Sequence, residues 1–317
     1  MKVIINNRSE QSKKFPISID ISEDTTADQL KELIHKKFKT YYPDRQRLTF
    51  SQQLLQDKKT LKSYGIKDGD TILFKDLGPQ ISWRLVFFIE YLGPLILHPI
   101  FYYFKSQIYG QDFEHSEIQK IAYYMVMGHF IKRELETLFV HRFSHGTMPM
   151  FNVFKNSLHY HLLSGINLAY WVYGPWYANS EHYEILTWSC ILLYLFAEIS
   201  NFNTHMALRN LRPPGTRDRK IPYGYGFNLV SCPNYSFEIL AWISICILTK
   251  SLAAYLFTIV GSIQMYLWAI KKHKSYLVGL IVPTDYDFIN YLKKKGHNLE
   301  QELNLTELRK EHQNNLD

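Results

Sequence analysis

Polar and apolar positions divide the chain into two textures that meet near residue 78. In the first stretch the apolar runs are short and alternate with polar residues. Residues 1–6 and 15–21, on either side of the polar turn 7–14, predict a β-hairpin. A helix follows, opened by the capping-box pair Thr26 and Gln29. Leu30, Leu33, Ile34 and Phe38 give it one apolar face, and Pro43 closes it. Short strands are predicted over 47–50, 54–55 and 71–74, the last after the turn Lys67-Asp68-Gly69-Asp70. From Ile81 the runs lengthen, and six stretches read as candidate membrane spans: 81–104, 121–131, 158–176, 183–200, 237–249 and 252–270. The second and fifth are short, and for them a buried helix of a soluble bundle is the other reading.

Charge in the connections favours the membrane reading. The loops after the first, third and fifth runs carry few basic residues, Lys105 and Lys250 among them. Those after the second, fourth and sixth carry Lys132, Arg133, Arg142 and Lys155, then Arg209, Arg212, Arg217, Arg219 and Lys220, then Lys271, Lys272 and Lys274. This alternation is what six helices with both termini on the cytoplasmic or matrix face require. No basic-then-apolar leader precedes the polar N-terminal stretch, so the first span is expected to act as the insertion signal.

Composition hides the segregation. A chain of 317 residues with 46% hydrophobic positions and a mean hydropathy of −0.20 looks soluble on average, although 15% aromatic content is high. Cys190, Cys232 and Cys246 lack the close spacing of a zinc or redox motif, and their number is odd, which argues against a disulfide framework. A formal charge of +7 points to phosphate-bearing small partners: nucleotides, coenzyme A or anionic lipid headgroups. A nucleic-acid partner is not expected.

The unusual polar chemistry lies in the basic loops. Residues 129–149 hold Lys132, Arg133, Glu136, His141, Arg142, Ser144 and His145, and residues 201–222 hold Asn201, His205, Arg209, Arg212 and Lys220. Guanidinium and amide groups at helix ends suit phosphate and adenine-ribose recognition, with lipid-headgroup anchoring as the alternative. The chain has no GxGxxG, Walker or HExxH motif, so any nucleotide must bind among helices. His141 and His145 stand four apart and His159 and His161 flank Tyr160. With no acid at matching spacing and cations all around, no metal site is expected. Glu90 falls inside the first span, where a carboxylate must face the bundle interior and find a partner. Tyr235 opens the fifth, at the depth where basic loops meet the bilayer.

Two resemblances follow from these residues. The ββαββ order ending in "TLKSYGIKDGDTILF" resembles ubiquitin, and since the chain runs on through Gly78-Pro79, a docking or scaffolding module is expected, not a conjugating one. The blocks "VFFIEYLGP", "KRELETLFVHRFSHGTMP", "NLRPPGTRDRKIP", "LVSCPNYSFEILAW" and "KKHKSYL" resemble very-long-chain trans-2-enoyl-CoA reductases, within the steroid 5α-reductase family, over about residues 78–277. A ubiquitin-like N-terminal unit is typical of that group. The resemblance implies reduction of the trans-2 double bond of a long-chain acyl-CoA by NADPH, the last step of each fatty-acid elongation cycle, in the endoplasmic reticulum membrane. A mitochondrial inner membrane is the alternative compartment. It implies Glu90 and Tyr235 as the catalytic pair. The implied cofactor set is Arg133, Asn201, Arg209, Arg212, Asn234 and Tyr276, together with Lys132, His205, Lys220 and His273. Phe130 stands where steroid-reducing relatives carry Tyr, so a sterol substrate is not expected.

The expected fold is therefore an α+β ubiquitin-like domain over 1–76, an all-α bundle of about six transmembrane helices over 80–277, and a charged C-terminal tail over 278–317. Membrane lipids, other elongation enzymes or a larger membrane complex are the expected partners. The rival reading is an accessory subunit of such a complex, descended from the enzyme.

Overall fold

The computed structural model describes residues 1–8, 14–143, 146–178, 183–211 and 221–281, with backbone alone from 277. Arg212, Lys220 and the tail from 282 lie outside the described residues. Two compact units result: Met1–Val86 with the segment around residue 148, and the remaining helical chain.

In the first unit, β1 (Lys2–Asn7) and β2 (Ile17–Asp20) form the expected hairpin, with Val3 opposite Ile19. Helix α1 (Ala27–Lys37) starts at the capping box, the Thr26 amide donating to Gln29 Oε1 at 3.0 Å. After β3 (Gln46–Phe50) and β4 (Gln53–Leu54), β5 (Thr71–Asp76) runs parallel to β1 and antiparallel to β3, giving the order β2-β1-β5-β3-β4. Val3, Ile5, Leu30, Ile34, Leu48, Leu61 and Ile72 are fully enclosed between sheet and helix. At the end of β5, Arg45 grips Asp76 with two parallel bonds of 2.5 and 2.7 Å. A small ribbon absent from the sequence reading, β6 (Gln80–Ser82) with β7 (Thr147–Pro149), completes this unit.

Helices occupy all six expected places in the rest of the chain. They are α2 (Trp83–Tyr103), a short α3 (Lys105–Tyr109), α4 (Glu117–Leu135), then α5 (Phe151–Ser157) leading to α6 (Ala169–Tyr173), α7 (Glu184–Asn210), α8 (Pro233–Thr249) and α9 (Leu252–Ile281). Among the described residues three helices are long and apolar enough to cross a bilayer: Trp83–Tyr103, Glu184–Asn210 and Leu252–Tyr276. Helix α8 is 17 residues long, and α4 carries His129, Lys132, Arg133 and Glu134.

The stretch 158–176 departs from the simple helix expected of it. Between α5 and α6, Leu158–Leu168 winds as a π-helix, and a second π segment, Glu136–Val140, extends α4. The wide turns seat against α2, which contains Pro94 and Pro99. His161 Nε2 lies 2.8 Å from the Ile89 carbonyl, and its ring fills the space over Gly93, where an added Cβ would come within 2.0 Å of Cδ2. Further along the interface His98, fully buried, bonds Tyr173 Oη at 2.8 Å and the Ser164 carbonyl at 3.1 Å. A carbonyl only accepts, so Nε2 carries a proton.

Candidate active site

Three helices present polar residues at helical spacing. On α4 His129, Lys132, Arg133 and, one turn on, Glu136 share a face, on α7 Glu198, Asn201 and His205 do, and on α8 Asn234 and Glu238 do. Where the faces meet they form one network. Lys132 Nζ is 2.6 Å from Glu198 Oε2 and donates to Asn201 Oδ1 at 2.6 Å. The Asn201 amide donates in turn to the Asn234 carbonyl at 2.8 Å and to Glu238 Oε2 at 3.1 Å. Arg133 donates to Glu136 Oε2 at 2.7 Å and to Tyr91 Oη at 2.8 Å, while its Nε stands 3.9 Å from Glu238. His205 Nδ1 is 3.1 Å from Glu136 Oε2. Five of the expected cofactor residues, Lys132, Arg133, Asn201, His205 and Asn234, are thus assembled. Each cation among them already faces a carboxylate.

Glu90 is 1% exposed and accepts a hydrogen bond from Asn156 Nδ2 at 2.5 Å. Tyr235 lies in the first turn of α8, where Pro233 pre-sets the backbone at the N1 position. Its ring packs 6.2 Å from that of Trp268, and Lys272 Nζ sits 5.5 Å from its centroid. Among the described residues no hydrogen bond joins Glu90 to Tyr235, and neither the Tyr235 phenol nor the buried Asn234 Oδ1 has a protein hydrogen-bond partner. Of the other expected residues that the structure describes, His273 and Arg209 make hydrogen bonds elsewhere. His273 is exposed and bonds Ser231 at 2.7 Å, and the Arg209 carbonyl accepts from Arg142 at 3.1 Å at the end of α7. Tyr276 is half-buried near the end of the described part of α9.

His141, in the loop after the π segment, has its imidazole held down at about 3 by burial, with Arg133 and His205 adding to the effect, so it is neutral at physiological pH. Glu136, His141 and His205 bring ligand-type atoms within 4.8 Å of one another, a grouping the sequence did not suggest, since it set His141 beside His145. His145 lies outside the described residues. The Arg133 guanidinium is bonded to Glu136 there and stands 3.3 Å from His205, so a cation already holds that place.

Sequence reasoning passed over Glu198, Glu238, His129 and Asn156. Glu198 and Glu238 sit inside the fourth and fifth apolar runs, where the rule that singled out Glu90 applies equally.

Residues 146–280 match the family model described as 3-oxo-5-alpha-steroid 4-dehydrogenase, and residues 3–74 that of the ubiquitin family. A candidate enoyl reductase of Schizosaccharomyces pombe is 49% identical over 280 residues, 87% of this chain and 94% of that one. A very-long-chain enoyl-CoA reductase of Dictyostelium discoideum is 42% identical over 278 residues, 84% and 91% of the two chains. The trans-2,3-enoyl-CoA reductase-like protein of Mus musculus is 33% identical over 275 residues, 83% and 76%. The helical region is thereby of the steroid 5α-reductase class, preceded by a ubiquitin-like domain. Within that class the chain belongs to the trans-2-enoyl-CoA reductase family.

Proposed function

We propose that the protein reduces the trans-2 double bond of a long-chain enoyl-CoA with NADPH, completing a round of fatty-acid elongation in the endoplasmic reticulum membrane. The helices would cross six times and leave both termini in the cytosol, where NADPH and acyl-CoA are supplied. The observation that carries this reading is a preassembled polar site among apolar helices, with two groups held ready at its side: the Tyr235 phenol beside Lys272, and the buried Asn234 Oδ1.

The residues fit a nicotinamide dinucleotide. Asn234 Oδ1 can accept from a carboxamide N–H, and Lys272, His273 and Arg209 can take phosphate charge that the compensated Lys132 and Arg133 cannot. Tyr276, Arg212 and Lys220 would complete the set. The bound cofactor supplies the hydride that adds to C3 of the enoyl thioester. Negative charge then develops on the thioester oxygen and C2. The Tyr235 hydroxyl donates to that oxygen or delivers the proton to C2. Glu90, fixed by Asn156, orients the reacting groups. The apolar space between helices takes the acyl chain.

The test is NADPH oxidation by purified protein in nanodiscs supplied with trans-2-hexadecenoyl-CoA. Tyr235→Phe is expected to abolish turnover while cofactor binding stays nearly intact, whereas Arg212→Ala raises the NADPH dissociation constant. Full activity in Tyr235→Phe would remove the assigned proton donor. Wild-type protein that neither turns over nor binds NADPH would point to the accessory-subunit role.

A further inference from the structure

His129 takes no part in the reduction just described, yet it is the central member of the ion network. It is 2% exposed, its Nδ1 lies 2.6 Å from Glu198 Oε1 on α7, and its Nε2 lies 3.2 Å from Glu238 Oε1 on α8. An ionised carboxylate only accepts, and a neutral imidazole has a single N–H, so a neutral ring would leave one short contact without a proton. Both carboxylates are ionised on independent grounds. Glu198 is held by Lys132, and Glu238 by Asn201 with Arg133 at 3.9 Å.

Charge balance gives the same answer. The network holds three carboxylates, Glu136, Glu198 and Glu238, against two permanent cations, Lys132 and Arg133, while His205, whose Nδ1 accepts from the donor-only Arg133 guanidinium at 3.3 Å, counts as neutral. A protonated His129 brings the sum to zero, and a neutral one leaves a buried negative charge, which costs several kcal/mol. The other groups around the ring offer no competing charge. Trp242 packs edge-on at 5.0 Å, Phe130 packs edge-on at 5.1 Å, and Tyr194 on α7 donates its hydroxyl to the Met125 carbonyl.

We infer that His129 is a standing imidazolium, a positioning residue that ties α7 and α8 to α4 through Glu198 and Glu238 and keeps the network neutral. Arg133 and Asn201 are thereby fixed in place before any ligand arrives. The geometric part stands alone, and only the consequence for cofactor affinity rests on the reductase reading.

Two measurements separate the two parts. In full-length protein labelled with [15N]histidine in nanodiscs, without cofactor, His129 is expected to show both ring nitrogens protonated from pH 6 to 9, its signal assigned by its displacement in Glu198→Gln. A neutral tautomer at pH 7 would overturn the inference whatever the enzyme does. For function, His129→Gln offers two amide donors without the charge. Its NADPH dissociation constant is expected to rise about tenfold at pH 8. The deficit should shrink toward pH 6 as a carboxylate takes up the missing proton. It should also be largely repaired in the neutral double variant His129→Gln/Glu198→Gln. A loss independent of pH and not relieved by the second substitution would reduce His129 to a packing residue. If wild-type protein binds no NADPH, the reductase reading fails and the nitrogen spectrum still decides the protonation. Should His129→Gln not fold, Glu198→Gln alone leaves one surplus positive charge, and His129 must then begin to titrate within that pH range.

Discussion

Glu90 depends on a single side chain. Its hydrogen bond comes from Asn156, and removing one partner of a buried polar pair leaves the other desolvated and unpaired, at about 1–3 kcal/mol. Asn156→Ala is therefore expected to lower thermal stability in nanodiscs by that amount and to reduce kcat more than it raises the KM for enoyl-CoA. In the ubiquitin-like domain, Arg45 holds the Asp76 carboxyl below the ordinary carboxylate range. A depressed carboxyl stabilises the fold above its unfolded value near 4 and loses that contribution as pH falls through the lower, folded value. Protection factors of the β5 amides, which allow for the slower intrinsic exchange in acid, should fall on acidification over that interval in wild-type protein. Asp76→Asn should remove this pH response and leave exchange at pH 7 modestly faster, because a half-exposed pair is worth only about 0.2–1 kcal/mol. Residue type alone made Glu90 and Arg133 legible. Glu198 and Glu238 were hidden because each sits between apolar neighbours in a run that reads as span, and an acid's role there is set by what the next helix brings.

Elements were predicted where the period was regular. The hairpin, the capped helix α1 and the six helical places follow from alternation, capping and apolar runs. The π segments do not, because residues such as Ser157, Tyr160 and Ser164 give the same apolar pattern in either winding. What selects the wide turn is the fit to α2, a tertiary contact. Gly93 is its pivot. A methyl group there would overlap the His161 ring, so Gly93→Ala must push the ring off the Ile89 carbonyl or separate the helices. The expected cost is about 1–3 kcal/mol of thermal stability, the scale of overpacking a tight contact. Gly110→Ala, at an open turn with positive φ, meets no neighbour and provides the comparison for backbone strain alone. No loss of stability in Gly93→Ala would rule out the steric account.

For the whole molecule, the number of crossings has a simple reporter. Three spans are long and apolar enough on their own, and an odd number would leave the two ends on opposite faces. The proposed six would leave them on the same face, with Lys250 and the loop near Asp112 on the other. Protease protection of terminal tags in sealed microsomes decides between them. Thiol labelling of Lys250→Cys checks the far side, with low background because Cys190, Cys232 and Cys246 are all buried. Overall charge does not say which cations are already paired. A surplus of +7 suggested a cationic cradle, whereas Lys132 and Arg133 are compensated by acids drawn from other helices, which composition cannot reveal.

Lys250, in the left-handed conformation, folds α8 back onto α9 through a two-residue corner, so Tyr235 near one tip meets Trp268 and Lys272 near the other. The pair acts as a caliper whose jaws close on the phenol only while both arms keep their length. Adding one residue midway along α9 would turn its far jaw by about 100°. Trp268 and Lys272 would swing away from Tyr235, although nothing in α8 had been changed.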